Sequence, residues 1–183
     1  MSMDFIPNET RPQKAIVLKD SVYHSFLGEY FLGQTDMISY GGDIQAWAAL
    51  FNPPDSRVNM YLNAYTISNF SNQPITVEGW LSAILPGKAV ISDHVAAGNQ
   101  SITPRVRPKV LIKSSNYVIW TPISGTYTFV RRVEPSITLT KHDFQGMYII
   151  PPGSSFALIF LPPGEVDIKA KVAFGWWEEN RCD

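Results

Sequence analysis

Hydrophobic and polar residues alternate most cleanly at residues 58–65. Val58, Met60, Leu62 and Ala64 share one face there, and Asn59, Tyr61, Asn63 and Tyr65 share the other. A period of two is the signature of a half-buried strand. The same period returns near the C-terminus. Val166, Ile168, Ala170, Val172, Phe174 and Trp176 face one way, and Asp167, Lys169, Lys171, Ala173 and Trp177 the other. Turn formers punctuate the chain at residues 52–55, 69–74, 86–87, 122–125 and 134–135, and as Pro-Pro-Gly at 151–153 and 162–164. Proline presets the first turn angle and glycine supplies a positive φ, so each Pro-Pro-Gly predicts a reversal. Strands are expected between these breakers, and the last three read as a meander. Residues 21–51 are ambiguous between helix and strand: over residues 22–32, Phe26, Leu27, Tyr30 and Phe31 fit neither period, then Gly41-Gly42 marks a turn and Ile44 to Phe51 resumes as a strand. Residues 93–108 read as a loop broken by Gly98-Asn99 and Pro104.

Roughly ten strands and no long helix define the class as all-β. The longest strands lie far apart in sequence and must pair over distance. This favours a jelly-roll-like two-sheet antiparallel sandwich. No internal repeat is visible. Residues 1–13 are polar with two prolines, and then Ala15, Ile16, Val17 and Leu18 form a short β-prone run fenced by Lys14 and Lys19. Flanking lysines keep exposed strands from pairing indiscriminately. The expected organisation is an N-terminal arm, residues 1–20, before a single domain, residues 21–183.

Composition sharpens this picture. The chain has 183 residues, enough for one full core, and only 17% are charged, against about a quarter in ordinary domains. A sparsely charged chain has a large core or covers part of its surface with partners. The formal net charge is −1, which argues against nucleic-acid binding through a basic field. The densest basic stretch, Arg105, Arg107 and Lys109, alternates with Val106 and Pro108 and reads as a solvated edge. No run of residues is long and apolar enough for a membrane helix. No signal peptide is recognisable, so synthesis in the cytoplasm is expected, and a surface could still be reached by a route that needs no signal. Cys182 stands alone and cannot form an internal disulfide.

The chemistry-bearing residues form no recognisable catalytic pattern, so no enzyme activity, cofactor or metal is expected. His24, His94 and His142 lack partners at metal-ligand spacing apart from the adjacent Asp93 and Asp143. Neighbours on a strand point to opposite faces. Each histidine therefore reads as a surface loop residue. Among Glu29, Asp36, Asp43, Glu78 and Asp143 nothing selects a catalytic pair. Gly146 followed by Pro151-Pro152-Gly153 faintly resembles the second metal-binding turn of cupins, but His-x-His is absent and Ser154-Ser155-Phe156 stands where a histidine would follow. Three glycosylation sequons start at Asn8, Asn69 and Asn99, and without a signal peptide they read as chance. Trp176-Trp177 is the most distinctive local feature. Tyr61, Tyr65 and Trp177 are candidate surface aromatics, able to meet a glycan or another subunit.

The stretch Val172-Ala173-Phe174-Gly175-Trp176-Trp177-Glu178-Glu179, with Asn52-Pro53 and Asn69-Phe70-Ser71, resembles small all-β proteins of spore-forming Firmicutes. More loosely, an arm before a jelly roll is similar to endospore-appendage fibre subunits, which staple neighbours through N-terminal arms. That family cross-links through arm cysteines, and this arm has none. The resemblance implies non-covalent self-assembly and no active site. The expected function is a structural subunit of a filament, coat or shell, its own partner as a homo-oligomer. The arm run Ala15, Ile16, Val17 and Leu18 would add as a strand to an open sheet edge. A carbohydrate- or ligand-binding module is the first alternative, and an enzyme whose acid pair is assembled only by the fold is the second.

Overall fold

A computed structural model describes residues 17–119, 122 and 124–181. Residues 1–16, including Ala15 and Ile16 of the expected arm, and Cys182 lie outside this set. Among the described residues the architecture is an all-β sandwich of two antiparallel sheets, with one short helix, α1 (Asp20–Leu27).

The first sheet is built on β4 (Val58–Asn69) and β13 (Gly164–Asn180), paired antiparallel. β1 (Tyr30–Gln34) flanks β13, and β7 (Val95–Ala97) closes that side. β2 (Ile38–Gly42) also pairs with β13, while β10 (Thr138–Lys141) and β11 (Tyr148–Ile150) both pair with β4. The second sheet runs β6 (Val90–Ile91), β8 (Leu111–Val118), β3 (Gln45–Phe51), β12 (Ser155–Phe160), β5 (Ile75–Leu81) and β9 (Thr126–Val133).

The core lies between the sheets. Ile168, Ala170, Val172, Phe174 and Trp176 of β13 all point into it, as their alternation predicts. β3 and β12 show no alternation because both of their faces are covered: every residue of β12 is buried, and all of β3 but Phe51. Their outer faces put Trp47, Ala49, Ala157 and Ile159 into a second apolar cluster with Val118, Trp80 and Leu85. The Trp47 indole N–H donates to the Pro86 carbonyl at 2.7 Å, which ties the 82–89 connection over this face.

Three expectations need correction. The last three strands are not a meander. β11 and β13 lie in the first sheet and β12 in the second, so each Pro-Pro-Gly carries the chain across the sandwich. Gly153 and Gly164 do adopt positive φ, 80° and 81°. The reversal was legible, but prolines lack the N–H that a hairpin ladder uses. Residues 22–32 match no single period because they hold two elements. α1 stops at Gly28, whose left-handed φ of 78° lets its N–H cap the helix carbonyls, and β1 begins two residues later. The loop at 93–108 contains a short strand, β7, paired with β1.

Candidate functional site

The Trp-Trp-Glu-Glu run occupies the end of β13, where the strand period sorts it into two pairs. Trp176 and Glu178 point inward, and Trp177 and Glu179 outward. In each pair the indole N–H donates to the carboxylate two residues on, Trp176 to Glu178 at 3.1 Å and Trp177 to Glu179 at 3.0 Å.

The inner pair ties the sheets together. Glu178 is buried, and its oxygens accept the backbone N–H of Lys109 at 3.0 and 3.1 Å and of Val110 at 3.0 Å. These amides lead into β8 of the other sheet. A buried carboxylate stays buried when hydrogen bonds replace its water, and this one is saturated by donors.

The outer pair holds α1. Trp177 is only 2% exposed, stacked between the rings of His24 and Tyr61 with centroids at 5.3 and 5.2 Å. His24 Nδ1 lies 2.8 Å from Glu29 and Nε2 3.0 Å from Glu179. Each ring nitrogen of His24 thus faces one carboxylate. Burial, then a hydrogen bond to Glu179, pushes the Tyr61 phenol above its ordinary pKa. At the other end of the helix Lys19 pairs with Asp143 at 3.2 Å. Hydrogen bonds from Lys19 and Gln145 hold the Asp143 carboxyl below the usual range.

Two further motifs from the sequence are also polar staples. Asn52 is buried and donates to the Val58 and Ile150 carbonyls. Asn69 is buried, donates to the Gln73, Val133 and Glu134 carbonyls and accepts the Ser71 N–H. The Asn69 sequon is therefore closed to a glycan in the folded chain.

The candidate aromatics fare differently from their expected exposure. Tyr65 is 1% exposed and packs against Phe129, Phe144 and Phe156. A β-bulge causes this: Gly175 pairs with Ala64 but Trp176 with Leu62, so Asn63 is an extra residue that reverses the alternation after it. Trp177 is on the outer face but lies beneath α1. Only Tyr61 is half-buried. His24, read as a surface residue, is buried under the same helix. His94 is exposed and pairs with Asp36 at 3.1 Å, and His142 is exposed. Of the candidate arm, Val17 and Leu18 are exposed and precede α1 outside any strand.

Among the described residues no three His, Cys, Asp or Glu side chains converge as a metal site. No described helix is long and apolar enough to cross a membrane. The fold and its polar staples define the class: a two-sheet antiparallel sandwich whose most distinctive motif serves its own architecture. The chain belongs to DUF6143, a family of unknown function whose profile matches residues 4–183. No curated protein and no solved structure matches the chain.

Proposed function

We propose that this chain is a structural, self-assembling subunit whose N-terminal arm and sheet edges join it to further copies of itself. The observation that carries the reading is the edge of β9. Among the described residues this eight-residue strand pairs only with β5. Its outer edge therefore offers main-chain donors and acceptors to another strand. Tyr127 and Val130 add apolar surface there, 49% and 47% exposed. Residues 126–130 of β9 carry no charge, whereas Arg131 and Arg132 close the other end. The arm run Ala15, Ile16, Val17 and Leu18 is uncharged between two lysines and has a length to match. Contacts of this head-to-tail kind build filaments or rings, as in the appendage subunits that the chain loosely resembles. A particle or spore surface would be the place for such an assembly.

The glycan-binding alternative keeps only the half-buried Tyr61 of its three aromatics, since Trp177 and Tyr65 are covered by the chain itself.

The test is light scattering behind size exclusion, with negative-stain images of the same fractions. A truncation should remove residues 1–18 and no more, because Lys19 and Asp20 begin α1. The full chain is expected as large regular particles and the truncated chain as a folded monomer. A full chain that stays a 20.5 kDa monomer, or a truncated chain that assembles unchanged, overturns the reading.

A further inference from the structure

The two long sides of the sandwich are closed in different ways. On the β9 side, Phe129 and Phe144 pack against Tyr65, and Tyr148 against Phe156, so aromatic rings fill the gap between the sheets. On the opposite side the chain crosses between sheets at residues 92–94 and returns through residues 98–108. Between them a cleft of about 510 Å³ remains, within the ordinary size range of small-molecule sites.

Its floor is core. Val110 is 1% exposed, Ile112 is fully buried and Ala97 is buried. Its lip is apolar and exposed, with Ile91 and Val106 in contact with solvent. Its rim carries Arg105 and Arg107, whose side chains make no ion pair or hydrogen bond with the described residues. Asp93 is the one acid among the described lining residues, against the two arginines, so this lining carries a net positive charge. The neighbouring Lys109 is engaged differently, since its amide is held by Glu178 and its ammonium reaches Asn180 at 3.4 Å. That clamp fixes the base of the basic segment, and both arginines line the cleft, Arg107 being shared with a neighbouring hollow that Glu29 and Glu178 also line.

We propose that this cleft binds a small amphiphile with an apolar body and one anionic head, a carboxylate or phosphate. The apolar body leaves water for the accessible apolar surface of Ile91, Val95, Val106 and Leu111, above the buried floor. The head meets guanidinium groups whose planar forks match both anions. The basic alternation at residues 105–109, which reads from sequence as a solvated edge, would then be the rim of a binding site. This inference does not depend on assembly.

The experiment is an amide NMR titration of the full chain with three probes of equal chain length: sodium octanoate, octyl phosphate and neutral 1-octanol. Saturable shifts confined to residues 91–100 and 105–112 are expected with at least one of the anions. Octanol is expected to bind about tenfold more weakly or worse, the loss of charge-assisted hydrogen bonds. Whichever anion binds more tightly assigns the head group. The Arg105→Ala/Arg107→Ala double variant alters exposed side chains only, so its unfolding midpoint should not move while anion affinity falls about tenfold or more. Ile91→Asp, at the exposed lip, should abolish anion binding by charge and polarity. Absence of saturable shifts, equal binding of octanol, or unchanged anion affinity in the double variant overturns the proposal.

Discussion

Glu178 and Glu179 are neighbours on one strand, each accepting from a tryptophan two residues before it, yet they sit in opposite environments. Glu178 faces the core and binds backbone amides of the other sheet. Glu179 faces outward, keeps 39% of its side chain exposed and binds a side chain of the helix. The inner carboxylate joins two layers that the fold cannot separate. The outer one fastens an eight-residue helix to a surface. Backbone amides are fixed by the strands that carry them, so losing their acceptor leaves buried donors unpaired. A histidine on a helix can turn to water. The same two-residue geometry therefore gives a weld on one face and a latch on the other.

The largest expected effect breaks the weld. Glu178→Ala removes the acceptor of two amides and one indole at a site closed to water. At about 1–3 kcal/mol for each buried group left unsatisfied, the loss should reach about 3–5 kcal/mol. Urea unfolding reads it as a drop in midpoint, with the whole sandwich affected together. A loss below about 1 kcal/mol would mean that water reaches the Lys109 and Val110 amides, and the weld would be no stronger than the latch.

Glu179→Gln sharpens the contrast. It keeps the shape and one acceptor oxygen but removes the charge facing His24. The expected cost is about 1 kcal/mol or less, as for partly exposed pairs. Hydrogen exchange should speed up in α1 and leave the amides of β4 and β13 unchanged, since local opening need not involve the global transition. Equal acceleration in helix and sheets would show that the outer pair is also structural to the sandwich.

The sequence made one of these faces legible and hid the other. Six alternating apolar residues placed the inner face of β13 correctly, because a strand with one face in the core must obey period two. Trp176-Trp177 stood out from the sequence, but the helix that covers Trp177 did not. α1 has only eight residues and no side-chain cap at Lys19, so its one sequence signal is Gly28 at its end. Tyr65 went to the wrong face because one extra residue on β4 is invisible to an alternation rule. The apolar runs of β3 and β12 do not mark them as the central strands, since continuous apolar runs do not say which face meets which layer. The Glu178 clamp had a readable signal in hindsight: an acid two residues after a tryptophan on an otherwise apolar strand face needs buried donors. Which donors, 68 residues away for Val110, is a property of topology alone.

The smallest effect concerns the other end of the latch, where Lys19 meets Asp143. Lys19, then Gln145, lower the pKa of the Asp143 carboxyl in the folded chain. A carboxyl depressed by folding stabilises the fold at pH values above its unfolded pKa. That contribution disappears as pH falls through the folded value. Acidification should thus loosen the start of α1 before it disturbs the sandwich, and only slightly, because both side chains are well exposed and salt screens them. An NMR titration of the Asp143 side chain should give a midpoint below that of an ordinary aspartate at low salt. Lys19→Ala should move that midpoint upward, as should added salt. Glu179→Gln, acting on the far end of the helix, should leave it where it is. If Glu179→Gln shifts the Asp143 midpoint as far as Lys19→Ala does, the two ends of α1 release together. The latch is then a single cooperative contact and not two independent ones.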